Sequence, residues 1–133
     1  MQPLQLKRVR FCRDADVWLR TLKSRTGITP NLLCRLGFCL SLDEPTAPDP
    51  AKYLEDSSRE INRYTLLGEY DGLYEALLKQ RTTAAALPCT SDVLDEQFRA
   101  HMNRGVILLA ARMKVLTDLD ELASGARSLA LAD

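Results

Sequence analysis

The sequence predicts a mainly α fold, a compact helical domain that opens on one short strand. Three observations predict it. Apolar residues recur at helical spacing in several stretches, Gly27 and Pro30 punctuate two of them, and only residues 4–11 show the period-two alternation of a strand. At 133 residues, 46% apolar and 27% charged, the chain has the size and composition of one soluble domain spanning 1–133. Within it, a basic strand-helix-helix segment (1–42) precedes a proline-rich loop (43–52) and an acidic helical remainder (53–133).

In LQLKRVRF, residues 4–11, Leu4 and Leu6 begin an alternation that resumes out of phase at Val9 and Phe11, which predicts a strand with a slip at Lys7-Arg8. Asp14 is the expected N-cap of a helix with Ala15, Trp18, Leu19 and Leu22 on one face and Arg13, Asp16, Arg20 and Lys23 on the other. Gly27 closes that helix, and Thr29-Pro30 starts the next as N-cap and first helical residue. Leu33, Leu36, Gly37 and Leu40 form its expected inward stripe, widened by Phe38 and Cys39. Three prolines in residues 43–52 demand a surface loop.

From Tyr53 to Arg81 the pattern is helical again, with breaks expected at Gly68 and Asp71-Gly72. Pro88 ends the next connection, and Ser91 or Asp92 is the expected cap of a long helix. Its seam is Leu94, Phe98, Met102, Gly105, Leu109, Met113 and Leu116, at steps of three and four. The weakly patterned tail after Thr117 is expected to fray.

A formal net charge of zero conceals two opposite halves. Residues 1–42 carry eight Lys/Arg against two Asp/Glu, a net of +6, and the other 91 residues carry ten against sixteen, a net of −6. Such asymmetry predicts a polyanion-binding face with an acidic remainder that limits nonspecific sticking.

The residues for an independent active site are scarce. One histidine, no Ser/His/Asp set, no phosphate-cradling glycine loop and no HExxH leave few routes to catalysis. His101 is read as structural. Glu69 with Asp71, and Asp92, Asp95 and Glu96, are the best carboxylate candidates for a metal-dependent nickase, which is one alternative reading; helix capping and solvation explain them as well. Cys12, Cys34, Cys39 and Cys89 form no CxxC, and Cys34 and Cys39 sit about 140° apart around a helix, so they read as buried reduced thiols, not metal ligands. No cofactor or metal is expected. The chain shows neither an apolar signal core nor a membrane-length apolar run, so a cytoplasmic location is expected.

The basic segment carries the stronger signal. Strand, helix, short turn and cationic helix resemble a ribbon-helix-helix arrangement, with Gln5, Lys7, Arg8 and Arg10 facing outward, and a ribbon-helix-helix transcriptional regulator is the second alternative. Only Phe11 and Trp18 interleave with the cations, and both are assigned to the core. Backbone contact on a duplex is therefore favoured over stacking on single strands.

Three stretches, RTGITPNLLCRLGFCLSL (25–42), EINRYTLLGEYDGLYEALL (60–78) and HMNRGVILLA (101–110), resemble the DndE family of bacterial DNA phosphorothioation. The resemblance implies a DNA-binding subunit, typically a homotetramer, with affinity for duplex and especially nicked DNA. It implies a cysteine desulfurase, a sulfur-transfer enzyme and an ATPase as partners in the same machinery. Carried over by position, Gly27, Ile28 and Thr29 are expected at an oligomer contact, and Lys7, Arg8, Arg10, Arg20, Lys23, Arg25 and Arg35 at DNA. Pro30 stands where a polar or basic residue is expected in that family.

Overall fold

The structure, a computed structural model, describes residues 2–132, with side chains described through Lys114. Five helices carry the fold: α1 (Arg13–Thr26), α2 (Pro30–Asp43), α3 (Arg63–Leu67), α4 (Asp71–Ala84) and α5 (Ser91–Ala132). Two three-residue strands, β1 (Arg8–Arg10) and β2 (Glu60–Asn62), pair antiparallel with Val9 opposite Ile61. The mainly α class and the strand-helix-helix order of the N-terminal part are as the sequence predicts.

α5 is the central element. Between Gln97 and Ala110 most of its residues are buried, because α2, α1, α4 and β1 all pack on it. Its expected seam holds from Leu94 to Leu109, with Met113 half-buried; Leu116 and the side chains of the tail lie outside the described residues. The closest approach is between α2 and α5, at Gly37 and Gly105. A Cβ on Gly105 would stand 2.2 Å from the Gly37 carbonyl oxygen, so only two glycines let these backbones touch.

That contact sets the rotation of α2. Its buried face is Leu33, Cys34, Gly37, Phe38 and Ser41, whereas Leu36 is 52% exposed and Cys39 is exposed. Leu36 and Cys39 were expected inside; apolar residues surround much of α2, and only the face centred on Gly37 finds α5. Leu33→Ala should cost about 2–5 kcal/mol, while Leu36→Ala should change stability by no more than about 0.5 kcal/mol. Urea unfolding of the two variants checks the rotation.

α1 shows a similar correction. Ala15, Leu19 and Leu22 are buried as predicted, but Trp18 is 36% exposed and the buried neighbour is Asp16. The Asp16 carboxylate accepts from Arg59 Nε at 2.6 Å and Arg20 Nη2 at 3.0 Å, a pairing that crosses 43 residues. Cys12, not Asp14, holds the N-cap position, and Gly27 ends the helix with φ 74°, donating to the Lys23 carbonyl at 2.9 Å. Thr29 and Pro30 start α2 as expected.

Residues 53–62 are not helical: β2 occupies 60–62, and the helix begins at Arg63, capped by Asn62 Oδ1 on the Tyr64 N–H. Gly68 does break the pattern, with φ 54°, but Asp71-Gly72 starts α4 instead of interrupting it. At α5 the Val93 N–H reaches Thr90 Oγ1, one residue before the expected caps.

The proline-rich loop is held from below by donors. Prolines leave carbonyls with few local N–H partners. Arg81 donates to Glu44, Arg104 to Thr46 and Ser41, Gln97 to Pro48, and Arg99 to Pro50 and Tyr53. No helix among the described residues is long and apolar enough to cross a membrane.

Candidate nucleic-acid interface

The N-terminal arm is positioned by carboxylates and one arginine. Glu75 Oε1 accepts the Leu4 N–H at 2.7 Å, and Asp95 Oδ1 accepts those of Gln5 and Leu6 at 2.8 and 2.9 Å. Arg63 donates to the Leu4 carbonyl at 2.8 Å while paired with Asp71 at 2.8 Å. Two carboxylates named for metal binding, Asp71 and Asp95, are therefore engaged in fixing the arm. Among the described residues no group of three or more His, Cys, Asp or Glu is placed to hold a metal ion.

β1 continues the arm with Val9 buried and Arg8 and Arg10 exposed on its other face. One edge of β1 pairs with β2. Towards the other, Asn103 on α5 accepts the Cys12 N–H at 2.8 Å and donates to the Arg10 carbonyl at 3.4 Å. The partner strand thus comes from the same chain, not from a second copy as an intermolecular ribbon needs.

The seven expected cations fall into three places. Lys7, Arg8 and Arg10 lie along the arm and β1, and all are exposed. Arg20, Lys23 and Arg25 are exposed on the second half of α1. The 14 residues of α1 separate its ends by about 20 Å, so one chain offers two basic groups and not one patch. Arg35 is drawn inward: its guanidinium donates to the Leu66 carbonyl and lies 6.0 Å over the Tyr70 ring.

Internal pairing sorts the remaining cations. Arg59, Arg63, Arg81, Arg99 and Arg104 of the acidic remainder are all engaged by carboxylates or loop carbonyls. Arg20 shares Asp16, and Arg10 donates to the Ser57 carbonyl at 3.1 Å. Among the described residues, Lys7, Arg8, Arg13, Lys23 and Arg25 of the basic segment have no hydrogen bond or ion pair from their side chains, and neither do Lys52, Arg112 and Lys114 of the acidic remainder.

Gly27 and Thr29 are exposed in the α1–α2 turn, and Ile28 packs partly on the core. Thr29 Oγ1 contacts Asn31 Oδ1 at 2.5 Å, which tightens the first turn of α2. Close by on α2, Leu32 and Leu36 are exposed.

The thiols are free, but not uniformly buried as expected: Cys12 and Cys34 are buried, Cys89 half-buried and Cys39 exposed. Burial pushes the Cys34 thiol up to about 12, which keeps it protonated and unreactive. His101 is fully buried and structural, with Nδ1 2.7 Å from Ser41 Oγ.

Sequence reasoning overlooked Tyr64. It stands 57 positions from Lys7 yet lines one surface groove together with Leu4, Gln5, Lys7 and Arg63, and its 81% exposure is the largest among the exposed large apolar side chains of the described residues. A tyrosine at the start of a short helix was the available signal.

The comparisons agree with this architecture. The family model for the DNA sulphur modification protein DndE matches residues 8–117. A crystal structure of DndE from Escherichia coli, described as involved in DNA phosphorothioation modification, superposes with a TM-score of 0.64 at 28% identity, covering 82% of this chain and 98% of that one. A mutant of DndE involved in DNA phosphorothioation gives 0.62 at 26% identity, covering 82% and 99%. No curated protein matches the chain. With its family model matched from β1 into α5, and its helices laid out as in those solved structures, this chain belongs to the DndE family of DNA sulphur modification proteins.

Proposed function

We propose that this chain is the DNA-binding subunit of a DNA phosphorothioation system, holding duplex DNA, and preferentially nicked duplex, through backbone phosphates. The observation that carries the reading is the sorting of cations. Five arginines of the acidic remainder, Arg59, Arg63, Arg81, Arg99 and Arg104, are turned inward and leave only Lys52, Arg112 and Lys114 exposed and unpaired there, whereas Lys7, Arg8, Arg13, Lys23 and Arg25 of the shorter basic segment stay unpaired at the surface among the described residues. Arg10 and Arg20 flank them with weaker internal ties. Arg35, engaged at Leu66 and Tyr70, contributes to the fold.

Two basic groups about 20 Å apart suit an assembly in which several copies line a shared DNA path. A homotetramer joined through the Gly27-Ile28-Thr29 turn fits the exposed Leu32 and Leu36 beside it. A nick favours binding because a hinged duplex bends across such an assembly at lower cost than an intact one. The other subunits of the sulfur-modification machinery are its protein partners, in the cytoplasm.

Each phosphate contact contributes a slope of about 0.9 to the dependence of log K on log salt. Lys23→Ala with Arg25→Ala should therefore weaken binding to any duplex sequence and reduce the slope by about 2. Titrations of intact and singly nicked duplex, in EDTA and in Mg²⁺, measure it. An unchanged slope would remove the α1 group from the interface, and Mg²⁺-dependent cleavage abolished by one carboxylate substitution would favour the nickase reading.

A further inference from the structure

A groove of about 740 Å³ runs between the N-terminal arm and the start of α3, lined in part by Gln5, Lys7, Asn62, Arg63, Tyr64 and Asp71. We infer that this groove receives an unpaired nucleotide of the bound DNA, with its base stacked on Tyr64 and its phosphate held by Lys7. The inference rests on the DNA-binding reading above and adds to it a site that reads an exposed base face.

The walls are rigid. Arg63 is tied both to the Leu4 carbonyl and to Asp71, and Asn62 Oδ1 caps the Tyr64 N–H at 2.7 Å. Leu66 and Leu67 are fully buried, which fixes the rotation of α3 and turns Tyr64 outward. A phenol ring left in water on a well-anchored helix start is a surface without an internal role.

The chemistry beside the ring selects the ligand. Lys7 has no partner among the described residues, and Arg8, exposed on β1, lies opposite Asn62 in the strand register. These cations repel a basic peptide and attract a group that is both aromatic and anionic. Asn62 uses only its carbonyl oxygen in the cap, so its amide N–H groups are available to a base edge. The volume falls within the range of small-ligand sites, about 300–1,000 Å³. In intact duplex both base faces are covered by stacking, so only an unpaired or terminal nucleotide offers Tyr64 a face.

The test compares a duplex carrying one unpaired 2-aminopurine with its fully paired counterpart. Base–aromatic stacking of ~1–3 kcal/mol corresponds to roughly five- to 150-fold in affinity. Wild-type protein should quench the 2-aminopurine fluorescence and bind the unpaired duplex more tightly. Tyr64→Ala should lower that preference about tenfold or more and abolish quenching, and Tyr64→Phe should keep both. Equal losses on the two duplexes, or no loss, overturn the stacking role. Wild-type protein that binds both duplexes equally overturns the groove proposal while leaving DNA binding intact, and binding to neither overturns both. Tyr64 is exposed, so thermal melting should show its variants folded.

Discussion

Gly105→Ala is expected to destabilise the protein by roughly 3 kcal/mol or more, although alanine is the better helix former by about 1 kcal/mol. The sign of the result decides between the two effects. A Cβ at Gly105 would lie 2.2 Å from the Gly37 oxygen, 2.3 Å from its carbonyl carbon and 2.7 Å from Phe38 N. All three are backbone atoms of α2, which no side-chain rotation clears. The helices must separate, and Leu33, Phe38, Phe98 and Met102 share the core on either side of the contact. Gly37→Ala meets Gly105 C at 2.5 Å and should cost a similar amount. Because both substitutions open one crossing, the double variant should lose clearly less than the summed single losses. Chemical unfolding of the four proteins measures this cycle, and a stabilised Gly105→Ala would refute the close crossing.

The second large effect is an acid-dependent loss of stability through His101. Burial, with the nearby charges of Arg104 and Arg81, pushes this imidazole down to about 3, against an ordinary value of about 6.5. Arg104 Nε donates to Ser41 Oγ at 2.8 Å, and the same oxygen lies 2.7 Å from His101 Nδ1, while His101 Nε2 is buried without a hydrogen-bond partner among the described residues. Between about pH 6.5 and 3 the unfolded chain binds a proton at His101 that the native chain refuses. Stability is therefore fully present above 6.5 and falls as the pH drops through this window, by up to about 1.4 kcal/mol per pH unit. Subtracting the profile of His101→Gln from that of the wild type isolates the histidine from the carboxylates. Parallel profiles would show that His101 titrates normally.

Both predictions concern residues that the sequence flagged without their partners. Gly37 and Gly105 each belong to a predicted stripe, yet nothing in the one-dimensional pattern says that they meet. His101 is legible as structural because it adjoins an apolar seam, while its ties to Ser41, 60 positions away, come only from the crossing of α2 and α5. The candidate interface divides in the same way. Charge counting selects the basic segment, and packing then separates the unpaired Lys7, Arg8, Lys23 and Arg25 from the engaged Arg35.

Local chemistry is what the sequence by itself determined. The C-terminal glycine of α1, the Thr29-Pro30 start of α2, the apolar seam of α5, the charge asymmetry and the family follow from side chains and their spacing within a few turns. Tertiary structure alone decided which face of α2 is buried, that Asp16 would sit inside with Arg59, that residues 60–62 would form a strand, and that Tyr64 would stand beside Lys7. Periodicity defines a face only when one side is apolar; where apolar residues surround a helix, as on α2, the face is chosen by the neighbour that fits. A buried charge or a three-residue strand likewise depends on a partner tens of residues away, and only the folded chain brings that partner into contact.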